Sequence, residues 1–119
     1  MKVTKAEFFE DLSVQMEWWL NAMSQSLINP LADLTWVNNE EVFRAIQRAL
    51  AGSDVKPEYV ETVLRECLHG FANSILTAID GGTALAEKGR VYLLDEDGNC
   101  LGEGLHEDFG LHLMETGRL

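Results

Sequence analysis

Apolar residues recur at steps of three and four through residues 4–80, the spacing of one helical face. Phe9, Leu12, Met16, Trp19, Leu20, Met23 and Leu27 trace a first face. Thr4 and Glu7 have the spacing of a capping box at its start. Pro30 predicts an end near Asn29, because the residue before a proline is driven out of the α region. Residues 30–38 read as a connection that packs on the core through Leu31, Leu34, Trp36 and Val37. A second helix is expected over residues 39–51, with Val42, Phe43, Ile46, Ala49 and Leu50 as its stripe. Asn38 or Asn39 can cap it, Glu40 and Glu41 suit its first turn, and Gly52 closes it. Pro57 fits the first turn of a third helix. Its expected buried face is Val60, Val63, Leu64, Cys67, Leu68, Phe71, Ile75 and Ile79, and Asp80-Gly81-Gly82 is its stop. Gly70, within this pattern, marks either the close approach of a neighbouring helix or a kink.

The texture changes after residue 82. Residues 83–89 read as a short turn of helix. Arg90-Val91-Tyr92-Leu93-Leu94 is β-branched and aromatic enough for a strand, Asp95-Glu96-Asp97-Gly98-Asn99 is a turn, and Cys100-Leu101-Gly102-Glu103 is a weak return strand. A terminal helix follows from Leu105 to about Glu115, with Leu105, Phe109, Leu111, Leu113 and Met114 as apolar members. Three N-terminal helices, a β-hairpin near 90–103 and a C-terminal helix give an expected α+β, mainly helical class. At 119 residues, without repeats or a linker, the length prior is one globular domain over 1–119.

Charge sharpens this picture. The net charge is −11. Residues 80–119 hold nine carboxylates against Lys88, Arg90 and Arg118. That excludes the basic footprint that nucleic acid or an anionic membrane surface needs, and a field of one sign selects partners of the other. No apolar run has the length of a membrane span or the form of a signal peptide, so a soluble cytoplasmic protein is expected. Cys67 reads as a small core residue, and two cysteines read as free thiols rather than as a disulfide scaffold.

The chemistry-bearing patterns are incomplete. Asp95, Asp97 and Asn99 alternate like the first ligands of a calcium loop, but Cys100 and His106 stand where glycine and a bidentate glutamate belong. A hairpin turn accounts for the same residues. His106-Glu107 starts like a zinc-protease helix, yet residue 110 is Gly and His112 lies on another face. Cys100 near His106 is surrounded by carboxylates, which raise a thiol pKa rather than depress it. Asp80-Gly81-Gly82-Thr83 offers amides to an anion but lacks the lysine of a P-loop. Glu103, Glu107 and Asp108 could flank a bond, although a solvated acidic face gives the same pattern. No metal or other cofactor is implied. Trp18 differs: Trp19 belongs to the apolar face of the first helix, while Trp18 shares its side with Gln15, Ala22 and Gln25. It reads either as a wide arc of core or as an exposed interface anchor.

Ile79-Asp80-Gly81-Gly82-Thr83-Ala84-Leu85-Ala86, then Val91-Tyr92-Leu93-Leu94-Asp95, then Leu105-His106-Glu107, resembles the C-terminal part of small single-domain bacterial families of unassigned function. In size and acidity the chain is also similar to bacterial immunity proteins, which neutralise toxins that are often basic nucleases; that likeness transfers no residues. The expectation is therefore a protein-binding module, in its most concrete form an immunity-type inhibitor. It would engage a basic partner through Glu96, Asp97, Glu103, Glu107, Asp108 and Trp18. The alternative is a small-molecule or metal-binding protein, or an enzyme, with a site near His69, His106 and the 95–108 carboxylates. A third reading is a homodimer through the first helix.

Overall fold

The structure is a computed structural model describing residues 2–119. Its elements in chain order are α1 (Lys5–Ile28), α2 (Glu40–Ala51), α3 (Pro57–Ile79), a 3-10 turn (Ala84–Glu87) and α4 (Leu105–Glu115). The chain divides into two compact units, residues 2–15 with His69–Leu119, and Met16–Leu68. No helix among the described residues is long and apolar enough to cross a membrane.

The capping signals operate as their chemistry requires. The Glu7 amide donates to Thr4 Oγ1 at 3.1 Å, and the Thr4 amide donates to Glu7 Oε1 at 3.0 Å. Asn39 Oδ1 accepts from the Val42 amide at the start of α2. At the end of α3, Gly82 N–H reaches Thr77 O and Gly81 N–H reaches Ala78 O, a Schellman closure with Gly81 at φ +79°.

In the first unit the core is Phe9 from α1, Ala72 and Leu76 from α3, Leu101, and Leu105, Phe109 and Leu113 from α4. The α4 members step by four along one face, and Phe9 packs on Phe109 with ring centroids 5.3 Å apart. Leu111 and Met114 of α4 are exposed.

The expected hairpin and α+β class are not observed. No strand is present among the described residues, and the chain is helical with extended connections. Residues 90–94 and 100–101 meet in one antiparallel bridge, Leu94 with Cys100, supported by Asp95 N–H to Asn99 O and Leu101 N–H to Leu93 O. The reason is local. Gly102 and Gly104, at φ +105° and +69°, turn the chain away directly after Leu101, leaving no return strand to extend the ladder. The turn is held by the Asp95 side chain as well as by backbone: Asp95 Oδ1 accepts the amides of both Asp97 and Asn99, and the Gly98 amide donates to Asp95 O.

In the second unit Met16, Leu20 and Leu34 are buried, so the 30–38 connection does contribute to a core, whereas Leu31 is exposed. Two faces differ from expectation. The inner side of α3 runs through half-buried Leu64 and Leu68 to buried Ala72 and Leu76, while Val63, Cys67, Phe71 and Ile75 are exposed. Apolar residues cover more than half of this helix, so period alone admits two faces. Gly70 is exposed, and a Cβ there would meet nothing within 4 Å, so no close helix approach explains it. α2 is the second case. Its one buried residue is Gln47, and its apolar Val42 and Ile46 face outward. Gln47 Nε2 donates to Ser26 O (2.7 Å) and Asn29 O (3.2 Å), and Arg44 donates to Pro30 O (2.7 Å) and Ala32 O (3.2 Å). These carbonyls belong to the end of α1 and the chain just after it, where helix geometry leaves acceptors unsatisfied. α1 has no basic residue in its last turn, and Arg44 supplies the positive charge that this end favours.

Candidate functional site

The first unit gathers most of the ionisable chemistry. Asp80, next after the last residue of α3, sends its carboxylate to the start of α4, where Gly104 occupies the cap position without a side chain to offer. Oδ1 accepts the Leu105 amide at 3.0 Å, and Oδ2 accepts the His106 amide at 2.9 Å and pairs with His106 Nδ1 at 2.5 Å. Asp80 thus caps a helix that begins 25 residues later. Its side chain is 8% exposed. Burial pushes its carboxyl up, but the His106 amide and ring, the Leu105 amide and the His106 charge outweigh this and hold it below its ordinary value. An ionised Asp80 only accepts, so the shared proton lies on Nδ1, leaving Nε2 pointing away, 3.8 Å from Glu107 Oε1. An aspartate that fixes a histidine tautomer in this way also serves general bases. Here no hydroxyl or thiol among the described residues is hydrogen-bonded to that ring. The pair acts as a staple between α3 and α4.

Asp95 is filled in the same manner. Its carboxylate accepts from the amides of Asp97, Asn99 and Val3 and from the Asn99 side-chain amide, at 2.9–3.1 Å. Burial raises its carboxyl, these donors outweigh burial, and the net shift is downward. Both oxygens serve the turn and the N-terminal residues rather than a cation. Glu10 is clamped by Arg118 through two N–H···O contacts of 2.9 and 2.7 Å and by His112 Nε2 at 3.2 Å, with the Arg118 bonds chiefly holding it below its usual value. Among the described residues, no group of three or more His, Cys, Asp or Glu side chains has an arrangement that could hold a metal ion.

The expected partner-binding residues separate into two sets. Glu96 and Asp97 are exposed on the 95–99 turn, Glu103 is exposed before α4, and the Glu107 side chain is 77% exposed on its first turn. Asp108 is different: Lys5 Nζ lies 2.6 Å from its Oδ2 and donates to Glu103 O at 2.8 Å, so Asp108 holds α1 to the approach of α4. The sequence pattern does not single out Lys5, and Asp80 enters it only as part of a helix stop and of a segment that offers amides to an anion. The signal that could have found Asp80 is Gly104 directly before Leu105, a cap position with no side chain to accept the first amides and so open to an acceptor from elsewhere in the chain.

Trp18 lies in the second unit, 57% exposed. It meets Trp19 edge-on at 5.1 Å, Trp19 meets Trp36 at 5.6 Å, and Trp36 meets Phe43 at 6.5 Å. Trp19, expected in the core, is 43% exposed as a member of this row. A concavity of about 260 Å³ beside α2 is lined by Ile28, Pro30, Arg44, Gln47, Arg48 and Ala51, but its Arg44 and Gln47 are already bonded to backbone carbonyls. Comparison with protein-family models, with curated proteins and with solved structures gives no match.

Proposed function

We propose that the protein is a binding module for a basic protein partner, an immunity-type inhibitor being its most concrete form. One observation carries this reading. His106 and His112 and the carboxylates Asp80, Asp95 and Glu10 are engaged in bonds that hold the first unit together, and Glu96, Asp97, Glu103 and Glu107 add an exposed acidic surface to it. A surface of that kind attracts and orients an opposite charge at long range without performing a reaction. The exposed, unbridged Cys67 and Cys100 suit a reducing compartment, and we place the protein in the cytoplasm. Self-association through α1 is a separate proposal, carried by a different surface.

The test is capture from the source cells with the tagged chain, beside a variant carrying Glu96→Lys, Asp97→Lys and Glu107→Lys. Asp108 is left intact because its pair with Lys5 is structural. The expected result is a basic protein retained by the wild type and lost by the variant, with both chains equally helical. A retained partner that is neutral or acidic, or one that the variant holds equally well, contradicts the reading.

A further inference from the structure

The second unit carries a surface of opposite character. Trp18, Trp19 and Trp36 are 57%, 43% and 40% exposed in one edge-to-edge row that ends on Phe43. The row continues along α2 through Val42 and Ile46, which are exposed because Arg44 and Gln47 seat that helix by its polar side. We propose that this face is a homodimer interface, covered by the same face of a second copy of the chain.

Charge argues for a second copy rather than for a basic protein. The α1 positions that follow on this side, Asn21, Ala22 and Gln25, and Ala45 and Ala49 on α2, are uncharged. Of the carboxylates near it in sequence, Glu17 and Glu40 are paired with Arg65 and Arg44, Asp33 accepts the Thr35 amide, and Glu41 is exposed. A basic partner finds little to complement here. Two molecules of net charge −11 repel, and a face poor in net charge is where they can meet with least repulsion. The composition is that of an interface core, rich in aromatic residues and depleted in charge.

Area points the same way. At up to about 250 Å² per tryptophan, the exposed fractions leave on the order of 350 Å² of aromatic surface. Val42 and Ile46 bring this to roughly 500 Å² per copy. Two such faces with a polar rim reach the roughly 1,200 Å² at which specific interfaces begin. A two-fold axis through the row is self-complementary, each tryptophan meeting its counterpart's neighbours, and it closes the assembly at two.

Sedimentation equilibrium on the protein alone tests this, and needs no basic partner, so its outcome is independent of the function proposed above. The expected result is a dimer whose dissociation constant falls as salt rises from about 50 mM to about 500 mM, because repulsion is screened while apolar contact persists. Trp18→Ala and Ile46→Lys, at exposed positions, should keep the helical circular dichroism and raise the dissociation constant at least about 30-fold. If Trp18→Ala loses structure, Ile46→Lys decides. A wild type that stays monomeric at about 0.5 mM, a dimer that salt dissociates, or one that neither folded variant weakens overturns the proposal.

Discussion

Asp80 and His106 share one hydrogen bond of 2.5 Å between side chains, and the same carboxylate receives the two leading amides of α4. The end of one helix therefore caps the beginning of another, and the intervening 3-10 turn and extended segment form a loop closed at both ends. Asp80→Ala removes all three acceptor contacts from a site that is almost buried. Bonds to a charged acceptor are worth about 1.5–3 kcal/mol, and an N-cap about 1. A loss of about 2–4 kcal/mol is expected in urea unfolding. Asp80→Asn keeps one carbonyl oxygen but turns an NH₂ toward donors, so it should fall between alanine and wild type.

Acid should dissolve the same staple. The Asp80 carboxyl sits below its ordinary 3.8 in the folded chain, so folding favours its ionised form. Its contribution is complete above the unfolded value and is lost as pH falls through the depressed folded value. Stability against urea should therefore stay level with respect to this group down to about pH 4 and fall below that. The Asp80→Asn variant, already lacking the charge, should show a shallower acid loss.

Gly81 holds the turn that aims Asp80. It lies at φ +79°, and a Cβ there would approach Arg90 Nε to 2.6 Å, where the guanidinium reaches Ile79 O and the Tyr92 ring. Gly81→Ala should cost about 1–2 kcal/mol for the left-handed conformation alone, and more if Arg90 cannot move aside. Thermal melting checks this, with Gly70→Ala as the control. Gly70 is helical and its Cβ would enter open space, so that change should stabilise by up to about 1 kcal/mol.

Gln47 should prove to be the anchor of α2. Gln47→Ala leaves the Ser26 and Asn29 carbonyls without its two donors, at a cost of about 1–3 kcal/mol. Amide exchange should then quicken in α2. An equal quickening in α4 would mean that the loss is global rather than local.

These four sites show where the sequence was readable. Local chemistry was legible: the Thr4–Glu7 box, the Asn39 cap and the Gly81-Gly82 stop each depend on residues within a few positions, and each forms as its spacing predicts. Partnerships across the chain were not. Nothing near Asp80 announces Leu105, and nothing near Gln47 announces the carbonyls of Ser26 and Asn29. The outward turn of α2 follows from that second pairing, since a stripe of Val42, Phe43 and Ile46 says which residues share a face but not which face is covered. The strand expected over 90–94 failed because propensity cannot supply the return partner that Gly102 removes. In the acidic region, Glu96, Asp97, Glu103 and Glu107 are exposed as a solvated face requires. Asp108 is withdrawn by Lys5, a contact that spans 103 residues.

The proposed binding role is tested by the association rate of the chain with any basic protein that the tagged chain retains, followed across ionic strength. If exposed carboxylates steer such a partner, they do so over a distance that salt shortens to about 8 Å at physiological strength. The rate should fall at least about tenfold between low and high salt. Dissociation should change far less, and Glu96→Lys, Asp97→Lys and Glu107→Lys together should give a slower rate with a flatter salt dependence. A wild-type rate indifferent to salt, or a triple variant that associates as fast as the wild type, would contradict it.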